Sequence, residues 1–198
     1  MIRILQSNGL SSGIEEEGLS SPHLVFLLRQ LLRCSIELFL HPKSVTEYGR
    51  QWKSNGILMR ERIKPVKDVN PNWTKSVNKA TKNIRSDGVV IKIGRHNLMN
   101  ILAGALPSAI IVSVDCSSYY RLCLPLYKES HFLALLPAKD KLVICDSYER
   151  NGYQEITNWK QHMAQSGKFD WSRWEGDAVL VFSTHHSQEL LNVDRAWE

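Results

Sequence analysis

His131 and Asp146 stand fifteen positions apart, each at the end of a short apolar run. His131 opens the stretch Ser130-His131-Phe132-Leu133-Ala134-Leu135-Leu136, and Asp146 closes Val143-Ile144-Cys145-Asp146-Ser147. Pro137 to Lys141 link them as a polar loop of hairpin length, which predicts two antiparallel strands. The start of the first strand then lies beside the end of the second, so imidazole and carboxylate can meet. One ring nitrogen would serve the carboxylate while the other faces a substrate or nucleophile, the base-and-orienter half of a catalytic triad. The same spacing also suits a polar pair at a sheet edge with no chemistry attached.

The elements that would position this pair fall into two textures. Ser21-Pro22 reads as a helix cap and first-turn proline, and Leu24 to Leu40 as an amphipathic helix ended by His41-Pro42. Ser44 to Asn55 predicts a second helix, Lys64 to Trp73 a polar connection, and Ser76 to Ile84 a short helix. Val89 to Ile93 reads as a strand and Asn97 to Leu102 as a helix. From Ala105 onward strands take over: the dense β-branched run Ala109 to Asp115, then the apolar stretches His131 to Leu136, Leu142 to Asp146 and Ala178 to Phe182. A turn at Asn151-Gly152 and a helix over Ile156 to Ala164 complete the expectation. Helices first and antiparallel strands after predict one α+β domain over residues 1–198, helical to about 105 and sheet from about 106 to 185.

Composition narrows the function classes. With 198 residues, 43% of them hydrophobic, the chain can bury a core without metal or disulfide staples. Leu24 to Leu40 carries Arg29, Gln30, Arg33 and Glu37, which excludes a membrane span there, and Met1 to Gln6 lacks the apolar run of a signal peptide. A cytoplasmic protein is the expectation. Its four cysteines, Cys34, Cys116, Cys123 and Cys145, show no C-x-x-C spacing, so reduced structural thiols are expected, with neither zinc nor another cofactor. The net charge of +5 gathers between His41 and Asp87, where eleven Lys and Arg face four acidic residues and Trp52 and Trp73 interrupt the run. Such a belt suits an acidic protein, or nucleic acid by charge and stacking, although no nucleic-acid motif accompanies it; a solvated face is the plainer account.

The second half resembles the papain-like cysteine peptidases, in particular the compact peptidase domains of bacteriocin exporters and their soluble relatives. The resemblance rests on order over roughly Val89 to Phe182. Asn97 to Gly104 leads into the buried run Ala109 to Val112, a strand opens at Ser130-His131-Phe132, another ends at Cys145-Asp146-Ser147, and Trp159 follows. That family places an oxyanion glutamine about six residues before a cysteine-glycine pair. Here Gln6-Ser7-Asn8-Gly9-Leu10-Ser11-Ser12-Gly13 has that spacing, with Ser12 in place of the cysteine. The octet also looks like the glutamine-to-cysteine segment of ubiquitin-like-protein proteases, but there the cysteine follows the aspartate, and no cysteine follows Asp146. What the resemblance implies is a papain-like fold that hydrolyses a peptide or isopeptide bond. Gln6 would serve the oxyanion, position 12 would be the nucleophile, His131 the base and Asp146 the orienter.

Serine at position 12 leaves three accounts open. It replaces a cysteine to disarm the enzyme, it works as a serine nucleophile with His131 as general base, or the chain is a silent module that keeps the fold for binding. In the last case the belt holds an acidic protein or nucleic acid. Glu15-Glu16-Glu17-Gly18 after Gly13 is poor material for the long buried helix that should carry the nucleophile. Cys34, read as the interior of the long helix, is a substitute nucleophile. The other histidines are weaker candidates: His23 and His41 are expected to cap that helix or meet solvent, His96 to precede a helix start, and His185-His186 to lie exposed past the last strand.

Overall fold

The computed structural model describes residues 2–42, 44, 53–54, 57–58, 70–95, 98, 101, 107–115, 130–138, 140–147, 150–159, 174 and 176–183. Helices and a mostly antiparallel seven-stranded sheet share the chain, and strands occur in both halves. Two short helices come first, α1 (Ile2–Ser7) and α2 (Ile14–Glu17), followed by α3 (Ser21–Leu31). The chain then enters β1 (Cys34–Leu40), forms the small hairpin of β2 (Lys53–Ser54) and β3 (Ile57–Leu58), and continues into α4 (Pro71–Ser86). The remaining strands are β4 (Val90–Ile93), β5 (Ala109–Asp115), β6 (Ser130–Pro137), β7 (Lys141–Cys145), β8 (Tyr153–Thr157) and β9 (Ala178–Ser183). Their order in the large sheet is β4-β1-β9-β5-β6-β7-β8, antiparallel except for the parallel β1–β4 pair.

Helix α3 starts where its cap chemistry says it should. Ser20 accepts from the backbone of His23, and the His23 ring answers the Ser20 N–H, a reciprocal box with Pro22 in the first turn. The cap is thus Ser20 rather than Ser21. The helix does not reach Leu40 as the sequence predicts; it stops at Leu31, and Cys34–Leu40 is a strand. The reason lies in Arg33-Cys34-Ser35-Ile36-Glu37-Leu38, where polar and apolar residues alternate with the period of a half-buried strand. Arg29 holds the transition by donating from Nη1 to the Cys34 carbonyl at 2.8 Å.

Helix α4, by contrast, is longer than expected, because Asn70 caps the Asn72 N–H and Pro71 occupies the first turn. It ends at Gly88, whose φ of +78° suits glycine and turns the chain into β4. Two other expectations change. Lys53–Ser54 is a strand and not the end of a helix, and Ile156 and Thr157 belong to β8 rather than opening a helix. Most of the expected 44–55 and 97–102 helices, the connection at 64–69, and Trp52, His96, Cys116, Cys123, His185 and His186 lie outside the described residues.

The sheet separates two apolar clusters. Leu5, Leu10, Val25, Leu27, Val77, Ala80 and Ile84 from the helices pack on Ile36, Leu38, Val179 and Val181 on one face. On the other, Ile110, Val112, Val114, Leu133, Leu135, Leu142 and Ile144 pack with Leu98, Ile101, Trp159 and Trp174. Side chains alternate between faces along a strand, so register decides which cluster each residue joins. The helices therefore cover the β1–β9 side of the sheet, while the β5–β6–β7 meander builds the opposite core. No helix among the described residues is long and apolar enough to cross a membrane.

Candidate active site

The β6–β7 register decides what can meet. Pro137 pairs with Leu142 and Ala134 with Cys145, so the same register carried one step further sets Asp146 beside Leu133. His131 is then the diagonal neighbour two residues away, within reach of a long side chain. The contact forms: His131 Nε2 lies 3.1 Å from Asp146 Oδ1. His131 stands opposite Val114 on β5, so the pair faces the second core cluster. The carboxylate is fully buried, and the imidazole keeps 15% of its side chain exposed. A buried carboxylate needs a donor, and the ring supplies one. Asp146 is anchored further through its own N–H, which donates to the Gly152 carbonyl at 2.9 Å. Gly152 has φ of +73°, the conformation that lets the chain return into β8.

At its far end the same hairpin is braced by tryptophan. Trp159 Nε1 donates to the Ala138 carbonyl at 3.0 Å, and Asn158 N to the Asp140 carbonyl at 2.8 Å. Trp174 Nε1 donates to the Ser113 carbonyl at 2.9 Å on the neighbouring β5. Each indole fills the core and satisfies its one donor, which fixes the strands that carry His131 and Asp146.

Gln6 and Ser12 do not join this pair. Gln6 is exposed on α1, and Ser12 is exposed in the turn before α2. The buried neighbours of both, Leu5 and Leu10, belong to the cluster on the helical face. The next residue, Gly13, packs against Trp73 of α4 so closely that a Cβ would sit 2.6 Å from the Trp73 Cβ. His131 lies on the opposite face, on a strand two places removed from β9 in the sheet order. The expected four-residue constellation is therefore split, because α1 and α2 serve the helical layer over β1 and β9.

The alternative nucleophile fares no better. Cys34 is a buried strand residue of the helical-face cluster, and burial pushes its thiol up despite nearby Arg29. Cys145, adjacent to Asp146 but pointing to the other face, is also pushed up by burial. Neither environment makes a thiolate. Among the described residues, no group of three or more His, Cys, Asp and Glu side chains is placed to hold a metal ion.

Two buried polar clusters lie elsewhere: His23 takes the capping role expected of it but from the interior, while the Asp177 cluster escaped the sequence reading. His23 is fully buried, with Nδ1 2.9 Å from Ser20 Oγ and Nε2 2.9 Å from Ser76 Oγ. Ser76 spends its own proton on the Leu10 carbonyl at 2.6 Å, so His23 must donate from Nε2 and accept at Nδ1. Burial lowers its pKa from 6.5 to about 4. Asp177, just before β9, accepts from Ser21 Oγ at 2.6 Å and from the His41 N–H at 2.8 Å, with Ser44 as a further donor. Burial raises its pKa while these donors oppose the rise. The cluster ties α3 to the end of β1 and is structural, as capping is for His23. The only available signal for Asp177 was a single acid directly before a strongly apolar strand. Comparison with protein-family models, curated proteins and solved structures found no match.

Proposed function

We propose that the chain is a hydrolase of peptide or isopeptide bonds in which His131 transfers the proton and Asp146 orients it. The observation that carries this reading is the 3.1 Å pair of a fully buried carboxylate and a partly exposed imidazole at one end of the β6–β7 hairpin. With Nε2 donated to Asp146, Nδ1 is the nitrogen that would take a proton from the attacking group and return it to the leaving amine. The carboxylate holds the tautomer and stabilises the imidazolium formed during attack. Of the papain-like resemblance, this reading keeps the histidine-and-aspartate half and the helix-on-sheet plan. It does not keep Gln6 and Ser12, so the attacking group is water or another side chain.

The test is turnover of a mixed panel of fluorogenic peptides and lysine-linked isopeptides by the wild-type chain and by His131→Ala. Loss of the acid-base group lowers turnover by about 10²- to 10⁴-fold. Absence of turnover by the wild type across the panel, or equal turnover by both, would defeat the proposal.

A further inference from the structure

Helix α4 presents a second surface, on the helical face and away from the His131–Asp146 pair. Its 16 residues include Lys75, Lys79, Lys82 and Arg85 and not one acidic side chain. Those four are exposed, while Trp73, Val77, Ala80 and Ile84 turn inward. At about 100° per residue, Lys75, Lys79 and Lys82 form one straight stripe that Ser86 continues, with Arg85 at its flank. The steps along the axis are about 6, 4.5 and 6 Å, set by a rise of about 1.5 Å per residue.

No described carboxylate neutralises the three lysines of this stripe. Lys79 Nζ donates to the Asn8 carbonyl at 2.7 Å, and α1 beside it carries Arg3 and no acid. Among the described residues, the lysine ion pairs are Lys92 with Glu37 and Lys141 with Glu155, and no carboxylate pairs with Lys75, Lys79 or Lys82. Acids stand at the two ends of the helix: at its start Glu17 and Glu16 accept from the Asn70 N–H and side-chain amide, and at its end the exposed Asp87 follows Ser86 as the C-cap.

We propose that the α4 stripe docks an acidic α-helix of a protein partner. The four-three-four spacing is that of one helical seam, so a partner helix with carboxylates at the same spacing meets all three lysines at once. A nucleic-acid backbone suits the surface less well on two counts. Tyr153, on β8 at the distant edge of the sheet, is the one strongly exposed aromatic among the described residues, so no base-stacking platform flanks the stripe. Extended along the helix axis, a phosphate chain also runs into Glu16 and Glu17 at the Asn70 end, whereas a protein helix can place its own cations there.

The experiment uses three labelled probes: a 21-residue alanine-based helix with glutamate at every first and fourth heptad position, a scrambled peptide of the same composition, and a 20-base-pair DNA duplex. Anisotropy at low salt is read with the full chain and with the Lys75→Glu, Lys82→Glu double variant. The patterned helix binds several-fold more tightly than its scramble, and charge reversal weakens it by roughly tenfold or more. Tighter binding of the duplex, equal binding of the two peptides, or indifference to charge reversal each overturns the proposal. If the double variant fails to fold by circular dichroism, Lys75→Gln, Lys82→Gln replaces it with the same criteria.

Discussion

Mild acid should destabilise this protein through His23. The imidazole is fully buried and neutral, its Nε2–H committed to Ser76 and its Nδ1 lone pair to Ser20. Its folded pKa of about 4 lies below the ordinary 6.5. The unfolded chain therefore binds the proton first, and the contribution of His23 is complete above pH 6.5 and lost as pH falls towards 4. Linkage over that difference amounts to about 3 kcal/mol in all, of which about 2 kcal/mol is gone at pH 5.0 and almost none at pH 7.5. A loss of this size is a large share of the stability of an ordinary domain. Urea unfolding at pH 7.5 and pH 5.0 measures it, with His23→Gln as the variant that cannot titrate. The variant starts less stable but should lose about 2 kcal/mol less than wild type between the two pH values. Equal losses in both proteins, or an NMR titration placing the His23 midpoint near 6.5, would refute the reasoning.

Other outcomes follow from the same contacts. Gly13→Ala combines a left-handed φ of +75° with a Cβ placed 2.6 Å from the Trp73 Cβ, and should cost about 3 kcal/mol in thermal unfolding. Gly18→Ala has φ of +77° but open space around it, so only about 1 kcal/mol is expected. Asp177→Ala strands the Ser21 hydroxyl and the His41 N–H, with an expected loss of about 3 kcal/mol in urea unfolding. Ser12→Cys should react with iodoacetamide at the rate of an ordinary exposed thiol, and His131→Ala should leave that rate unchanged; acceleration dependent on His131 would show that the two positions do meet.

The β6–β7 hairpin was legible because two short apolar runs flank a five-residue polar loop, β5 because of its dense β-branched run, and local register then delivers His131 to Asp146. The Leu24 to Leu40 reading failed where two periods overlap. Leu24, Leu27, Leu28 and Leu31 repeat with the helical period, but Arg33 to Leu38 alternates, and a long apolar run hides the change from one to the other. The start of α4 was missed although Asn70-Pro71 is a cap followed by a first-turn proline, a signal outweighed by the polar stretch preceding it. Gln6 and Ser12 show the limit of motif spacing. Six residues along the chain do not say which face of a sheet a short helix will cover, and only packing of Leu5 and Leu10 against the α3–α4 layer decides that. Asp177 was invisible because its partners, Ser21 and His41, are distant in sequence.

Hydrolysis through His131 and Asp146 without Ser12 is read from kcat/KM on one cleaved substrate for the wild type, His131→Ala, Asp146→Asn and Ser12→Ala, each shown to be folded. The His131 and Asp146 variants should lose on the order of 10²-fold or more, and Ser12→Ala should keep wild-type turnover. Turnover that survives His131→Ala, or that vanishes with Ser12→Ala, would contradict this account.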